Sequence, residues 1–220
     1  MSVMRHRART EDQKLFRRQE ILDAAQSHYE DVGYEAFSMA NLAKLAGVAK
    51  GTLYLYFKSR EELFLTLYER SLIRWSQVFM GYLTDSLTSR RYAQTLYTTA
   101  MADGSFVPLL IRLEHVIEHN VATERLIQSK RIFMRQVETL ATPTSTSLAL
   151  NHAQAIEVVK TMGVLLVGAT RSDQMPSLDG EELPEDVEGL IASFSSEPLF
   201  VKNAVRIIEG IRAESEEKPT

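Results

Sequence analysis

Apolar residues recur at helical spacing along most of the chain, and no segment shows the sustained alternation that is typical of a strand. The first helical segment follows residues 10–13, whose TEDQ sequence has the form of a capping box, and it ends at Gly33. Its apolar positions are Leu15, Ile21, Leu22, Ala25 and Tyr29. The pattern predicts one amphipathic helix of about twenty residues, with these side chains facing a core.

Two short helices joined by a tight turn are predicted next. Residues 39–45 form the first, with Ser38 as a suitable N-cap, and residues 50–57 form the second. Gly47 supplies the turn between them. Two short helices at such a bend, packed against a longer first helix, are typical of a tri-helical helix-turn-helix.

The rest of the chain is predicted to be helical as well, which makes the protein all-α. The remaining predicted helices cover residues 59–80, 89–102, 105–120, 123–140, 148–169 and 197–213. Residues 141–147 place a proline among hydroxyl residues and predict a break, and the acidic segment 171–188 predicts a solvated loop. We therefore expect a helix-turn-helix domain over residues 1–58, which includes a basic N-terminal arm, and a second helical domain over residues 59–220.

The two predicted domains differ in net charge, and the whole chain carries a net charge of −4. Residues 1–60 contain ten Lys/Arg and seven Asp/Glu. The remaining 160 residues contain fifteen Lys/Arg and twenty-two Asp/Glu. This asymmetry favours an anionic partner for the N-terminal part.

The chain has no cysteine, so disulfides and thiolate metal sites are excluded. No apolar stretch follows the N-terminal arginines as in a signal peptide, and the apolar segment 162–169 is far shorter than a membrane span of roughly 20 residues. A cytoplasmic protein with no membrane partner is expected.

The predicted helix over residues 50–57 has short polar and basic residues on one side, as a helix that reads DNA requires. The candidate DNA-contacting residues are Ser38, Asn41, Lys50, Gly51, Thr52, Tyr54, Tyr56 and Lys58. Thr52 suits contacts to base edges, and the two lysines suit phosphates. Gly51 permits a close approach of the backbone to DNA.

The sequence GVAKGTLYLYFKSREEL at residues 47–63, preceded by ILDAA at 21–25 and SMANLA at 38–43, resembles the N-terminal domain of TetR/AcrR-type repressors. The resemblance implies an all-helical homodimer that binds a palindromic operator in double-stranded DNA. It also implies that a small-molecule effector enters the second domain and releases the protein from DNA. Dimerisation through the last two long helices is implied as well, here residues 148–169 and 197–213, whose apolar faces and small residues suit close helix contact.

The effector site is predicted only loosely. Its candidate residues are Trp75, Phe79, Tyr82, Arg112, His115, His119, Phe133 and Met162. The apolar members suit ordinary core packing as well as a cavity wall. The two histidines have the i, i+4 spacing of a chelating pair, but no third ligand is fixed by spacing. Neither a metal ion nor another cofactor is therefore expected.

An enzyme is the first alternative, and no hydrolase elbow, phosphate-binding loop, dinucleotide fingerprint or metalloprotease motif supports it. A scaffold that has lost DNA binding is disfavoured because Lys50, Thr52 and Tyr54 are intact. We expect a DNA-binding regulator that is not an enzyme. The residues alone do not separate a repressor from an activator, or from a regulator without a small effector, and the resemblance favours the repressor.

Overall fold

The computed structural model describes residues 2–113, 117–171 and 183–214, and within these ranges the regular elements are all helices. The α-helices are α1 Ser2–Ala36, α2 Met39–Leu45, α3 Lys50–Tyr56, α4 Arg60–Gly81, α5 Ser89–Ala102, α6 Phe106–Arg112, α7 Thr123–Leu148, α8 His152–Arg171, α9 Glu185–Ser193 and α10 Ser196–Ala213. The predicted all-α class is confirmed.

The helices of the predicted helix-turn-helix have nearly the expected bounds because local interactions set them. The Asn41 amide donates to Ser38 Oγ at 3.1 Å, so Ser38 caps α2. Gly47, with a φ of 63°, provides the left-handed backbone after α2 that glycine adopts most readily. The Glu62 amide donates to Ser59 Oγ at 3.0 Å, and α4 therefore begins where its capping box predicts.

The first helix begins earlier than predicted. Because α1 starts at Ser2, residues 10–13 lie inside it and do not cap its N-terminus. Its predicted end is confirmed by Gly33, whose φ of 71° and ψ of −178° interrupt the helical backbone. The prediction that Leu15 faces the core is wrong: its side chain is 65% exposed, and from residue 11 onward the first buried residue of α1 is Ile21.

The predicted break at residues 141–147 is also wrong. Helix α7 continues through Pro143, although proline cannot donate one of the helical hydrogen bonds. Tertiary contacts stabilise this segment, since the buried Thr144 hydroxyl forms a hydrogen bond of 2.9 Å with the hydroxyl of Tyr92 on α5. Helix α8 consequently starts at His152, later than predicted.

The segment predicted as one helix over residues 105–120 is helical from Phe106 onward wherever the structure describes it, but it is α-helical only in its first part. Helix α6 covers Phe106–Arg112, Leu113 and Ile117 have π-helical backbone, and Glu118–Asn120 is a 3₁₀ helix, whereas residues 114–116 lie outside the described residues. The Asp103 carboxylate caps the start of α6 by accepting two backbone amide hydrogen bonds at 3.0 Å. It also pairs with the Arg74 guanidinium through two hydrogen bonds of 2.8 and 2.9 Å, which fixes α6 to α4.

The acidic segment 171–188 is only partly what the sequence predicts. Residues 172–182 lie outside the described residues, but α9 already begins at Glu185, where a loop was expected. Its first turn contains three carboxylates, and negative charge is favourable beside the free amides at a helix N-terminus. The amides of Val187 and Glu188 donate to the Pro184 carbonyl at 2.9 and 3.0 Å. The acidic residues thus stabilise a helix start.

The described helices form two compact units. The first comprises Met1–Arg70 with Arg112–Ser129, and the second comprises Ser71–Ile111 with Lys130–Thr220. These units are defined by packing, whereas the predicted domains 1–58 and 59–220 are defined by function, and the two divisions do not coincide. The division into functional domains stays a prediction.

The core of the first unit is an aromatic cluster around Phe64 of α4. The Phe64 ring lies 4.5 Å from that of Tyr34, 4.9 Å from that of Phe37 and 5.7 Å from that of Tyr29. Burial raises the pKa of Tyr29 to about 12. Helix α2 packs against both α1 and α3, which supports the helix-turn-helix from behind.

The core of the second unit is built on a stack of three aromatic rings. The Trp75 ring lies 4.6 Å from Phe106 and 5.5 Å from Phe79, with nearly parallel planes in both pairs. Helix α10 packs on α5 and on α8, and the rings of Tyr97 and Phe200 meet at 5.6 Å between α5 and α10.

Helix α8 is unusually apolar and is longer than the apolar segment 162–169 seen in the sequence. Among the described helices it alone has the length and composition of a membrane span, with a mean hydropathy of 1.3 in its most apolar window, a third of which is buried. Its buried residues include Ala155, Val158 and Met162, whereas Val164 is 75% exposed. One side of α8 thus serves the core, and another presents apolar surface.

Candidate nucleic-acid interface

The structure leaves the predicted DNA-contacting residues accessible. Asn41, Lys50, Gly51, Tyr54 and Lys58 are exposed, and Ser38, Thr52 and Tyr56 are half-buried. In contrast, Leu53 and Phe57 are fully buried. Helix α3 is therefore anchored by its apolar side and presents its polar side outward, as a recognition helix must. Contact between these residues and DNA stays a prediction.

Helical geometry identifies the most outward positions of α3. Successive residues are rotated by about 100° around a helix axis, so Gly51 and Leu55 lie almost opposite the buried Leu53. Thr52 and Tyr54 flank them on either side. Leu55 is 83% exposed, more than any other large apolar side chain that the structure describes. Leu55 is not among the predicted DNA-contacting residues, although its spacing from Leu53 could have identified it.

Gly51 has no structural role that requires a glycine. A Cβ atom built on Gly51 would meet no atom of the protein within 4 Å, and its φ does not lie in the left-handed region. Since glycine is unfavourable inside a helix, this position lowers the stability of α3 without a visible benefit to packing. A glycine on the outward face does allow another molecule to approach the backbone closely.

The end of α3 is held firmly against α1 and α4. The Arg18 guanidinium lies 4.9 Å from the centre of the buried Phe57 ring, and burial lowers the pKa of Arg18. The Lys58 amide donates to Glu62 Oε2 at 3.0 Å, which orders the backbone between α3 and α4. On α1, the Asp23 carboxylate pairs with Arg70 of α4 at 2.6 Å.

A nearly buried ion pair joins α7 to α4 within the first unit. The Arg125 guanidinium donates to both carboxylate oxygens of Glu69, at 2.7 and 2.6 Å, and to Thr66 Oγ1 at 3.1 Å. The two charged side chains are only 15% and 9% exposed. This pair was not predicted, because a separation of 56 residues leaves no signal in local spacing.

The structure separates the predicted effector residues of the second unit into two groups. Trp75 and Phe79 belong to the aromatic stack, and Met162 is fully buried. Tyr82 follows the end of α4 and is 60% exposed, and Phe133 on α7 is 41% exposed. Both side chains are exposed in the single chain, and their part in an effector site stays a prediction.

The polar candidates of the effector site lie in the first unit or outside the described residues. The Arg112 guanidinium lies 3.8 Å from a Glu35 carboxylate oxygen and 5.5 Å from the centre of the Tyr34 ring. His119 is exposed, and His115 lies outside the described residues. Arg112 thus contacts residues of the predicted helix-turn-helix domain.

A small cavity is present in the second unit where no site was predicted. It has a volume of about 210 Å³ and is lined by Met101, Asp103, Val107, Pro108, Ile111 and Thr170, among others. Known ligand pockets measure roughly 300 to 1,000 Å³, so this cavity is smaller than most.

Family models cover most of the chain. A model described as "Bacterial regulatory proteins, tetR family" matches residues 21–67, and one described as "Tetracyclin repressor-like, C-terminal domain" matches residues 67–214. The second match extends far beyond the segment whose residues resemble the family in sequence.

Curated relatives align chiefly with the helix-turn-helix. The Fatty acid metabolism regulator protein of Bacillus subtilis is 38% identical over 60 residues, which are 27% of this chain and 31% of that protein. The HTH-type transcriptional activator FasR of Mycolicibacterium smegmatis is 30% identical over 112 residues, which are 49% of this chain and 51% of that protein. The match thus spans about a third of the length of the first relative and about half of the length of the second.

A solved structure shows the same fold over nearly its whole length. The crystal structure of a possible TetR family transcriptional regulator from Streptomyces coelicolor A3(2) superimposes with a TM-score of 0.59 and 17% identity, and the match covers 90% of this chain and 99% of that one.

Proposed function

The chain belongs to the TetR family of bacterial regulatory proteins, and from this premise we propose that it is a homodimeric transcriptional repressor. Two copies of its helix-turn-helix bind a palindromic operator, and a small effector in the second domain releases them. The observation that carries the proposal is the orientation of α3, whose Leu53 is buried while Lys50 and Tyr54 are exposed. The protein acts as a DNA-binding regulator in the cytoplasm and has no catalytic role.

Helix α3 supplies the DNA contacts in this proposal. It lies in the major groove, where the half-buried Thr52 reaches base edges through its hydroxyl and methyl groups. Lys50 and Lys58 at the two ends of α3 are exposed and neutralise phosphates on either side of the groove. The Ser38 hydroxyl already accepts the Asn41 amide as an N-cap, and its own proton remains suitable for a phosphate oxygen.

Dimerisation is assigned to α8 and α10, which correspond to the predicted helices 148–169 and 197–213. The two helices pack against each other, so they can present one continuous surface. Val164 is 75% exposed on the apolar helix α8, and a second copy would cover it. A two-fold dimer places two recognition helices about 34 Å apart, one turn of DNA, which suits a palindrome.

Release by an effector requires only a modest preference for one conformation. A coupling free energy of about 1–3 kcal/mol changes operator affinity roughly 5- to 150-fold. The cavity of about 210 Å³ near Asp103 is the candidate entry point, and a drug-sized ligand would have to enlarge it. By linkage, effector and operator must weaken each other's binding equally.

Activation of transcription is the second candidate function. The relative aligned over 112 residues carries the name of an activator, and the same DNA contacts serve either outcome. Deleting the gene decides between them, since transcripts of the target genes rise if the protein is a repressor and fall if it is an activator.

The direct test is a gel shift of the purified chain with DNA from upstream of its own gene, run across a salt series. A specific shift with an affinity that falls steeply as salt rises supports the proposal, because phosphate contacts release counterions. The absence of a specific shift, both on this DNA and after selection from random duplexes, would contradict it.

Substitutions of Thr52 and Lys58 are expected to have different consequences for DNA binding. Thr52→Ala should relax the preference for particular bases, at a cost of about 1–3 kcal/mol on the preferred sequence, and leave the salt dependence unchanged. Lys58→Ala should weaken binding to all sequences alike and reduce the slope of log affinity against log salt by about one per contact. Titrations on an operator and on scrambled DNA measure both effects. Equal losses on every sequence for both variants would remove Thr52 as a base-reading residue.

Gly51→Ala is expected to stabilise the protein and impair DNA binding. The added methyl group meets no protein atom, and alanine is favoured over glycine inside a helix by about 1 kcal/mol. On DNA, the same methyl group occupies the space through which the backbone approaches the groove. Thermal denaturation and operator titration of the same variant measure the two effects. Unchanged operator affinity would show that α3 does not approach DNA at Gly51.

A further inference from the structure

We propose that Leu55 is a specificity-determining residue that recognises the C5-methyl group of a thymine in the operator. The inference rests on the proposed function and adds a contact that sequence analysis did not assign. Among the large apolar side chains that the structure describes, Leu55 is the most exposed, at 83%.

The position of Leu55 on α3 determines which part of DNA it meets. It lies almost opposite the buried Leu53 and one turn after Gly51, which has no side chain. When α3 enters a major groove with Leu53 toward the protein, Leu55 is the side chain that points most directly at the base pairs. The exposed Lys50 and Lys58 bracket it along the chain and are the groups that meet phosphates.

The chemistry of Leu55 limits its partner to an apolar group. Leucine has no hydrogen-bond donor or acceptor in its side chain, so it contributes nothing at a phosphate or at a polar base edge. The C5-methyl group of thymine is the apolar feature that the bases present in the major groove of unmodified DNA. Exclusion of water from this contact stabilises the complex and favours thymine over the other bases at that position.

The experiment uses uracil, which lacks only the C5-methyl group of thymine and keeps its hydrogen-bonding groups. The full-length protein first selects duplexes from a random pool, and each thymine of the selected half-site is then replaced by uracil. Burial of one methyl-sized group corresponds to about fourfold in affinity. The expected result is a loss of about fourfold at one thymine per half-site, and of about 15-fold when both symmetric thymines are replaced.

The second part of the experiment repeats these titrations with the Leu55→Ala variant. The variant should fold normally because the side chain is exposed, it should bind the thymine operator more weakly, and it should no longer distinguish thymine from uracil. Leu190→Ala is the matched control, since Leu190 is a leucine of α9 that is 57% exposed and lies in the second unit. The control should keep both the affinity and the uracil effect of the original protein.

Several outcomes would overturn the inference. Leu55 does not recognise a methyl group if uracil has no effect on affinity at any position, or if the selected half-site contains no thymine. The same conclusion follows if Leu55→Ala loses as much affinity on replacement of thymine by uracil as the original protein does. A Leu55 that serves a protein partner instead would leave DNA affinity unchanged in the alanine variant. If the protein selects no sequence at all, the proposed function fails first, and the Leu55 assignment fails with it.

Discussion

Replacing Val164 with glutamate is expected to split the dimer and to weaken operator binding by at least about 100-fold. A dimer gains avidity because binding of the second head becomes intramolecular, and this advantage amounts to roughly 10² to 10⁴ in affinity. Val164 is 75% exposed in the single chain, so glutamate is tolerated there before association. In the proposed interface the two symmetry-related carboxylates would be buried among apolar side chains, at a large desolvation cost.

Light scattering after gel filtration and operator titration measure the two effects on the same preparation. Val78→Glu is the matched control, because Val78 is also a helical valine, is 48% exposed on α4, and lies outside the proposed interface. The control should remain dimeric with unchanged operator affinity. A Val164→Glu protein that stays dimeric would place the dimer interface elsewhere, whereas a monomer with full affinity would refute a two-headed operator complex.

Replacing Glu69 with alanine is expected to lower the free energy of unfolding by about 3–5 kcal/mol. The substitution leaves the Arg125 guanidinium 15% exposed and without the carboxylate that accepts two of its hydrogen bonds. Total stabilities of domains are only about 5–15 kcal/mol, so the loss is a large fraction of the whole. Urea denaturation monitored by circular dichroism measures it.

Glu20→Ala provides the comparison for Glu69→Ala. Glu20 pairs with Arg17 at 3.0 Å, but these side chains are 43% and 47% exposed, and solvent-exposed pairs contribute about 0–1 kcal/mol. The double variant Glu69→Leu, Arg125→Met should recover much of the stability, because apolar replacements remove both buried charges together. If Glu69→Ala costs no more than Glu20→Ala, the buried pair does not stabilise the first unit.

The ion pair also has a consequence for regulation. Arg125 lies at the start of α7, which continues into the second unit, and Glu69 lies on α4, which follows the helix-turn-helix. Because residues 117–129 pack within the first unit, a displacement of this segment would change the surroundings of α4 directly. Destabilising the pair is therefore expected to alter effector response as well as stability.

Much of the candidate interface could be predicted from the sequence. The N-cap at Ser38, the glycine turn at Gly47 and the capping box at Ser59 depend on residues only three or four positions apart. Burial of Leu53 and Phe57 follows from their spacing on α3. The resemblance to TetR/AcrR-type repressors rests on this same segment, and the family assignment is confirmed.

Two other local signals were misleading. Pro143 and the hydroxyl residues around it predict a break, yet the hydrogen bond between Thr144 and Tyr92 helps hold α7 together there. The acidic residues from Glu185 onward predict a loop, yet they form the first turn of a helix. The same residue types suit either conformation: a tertiary contact favours the helix at Thr144, and hydrogen bonds to the Pro184 carbonyl favour it at the start of α9.

The sequence by itself determined the helical class, the helix-turn-helix and its outward polar face, because hydrogen bonding and periodicity within a helix act over one or two turns. The tertiary structure decided which distant residues meet. It joined Arg125 to Glu69 across 56 residues and stacked Trp75 against Phe106. It also left Tyr82 and Phe133 exposed in the single chain. Such contacts depend on how whole helices pack, and the spacing of residues along one helix carries no information about its neighbour.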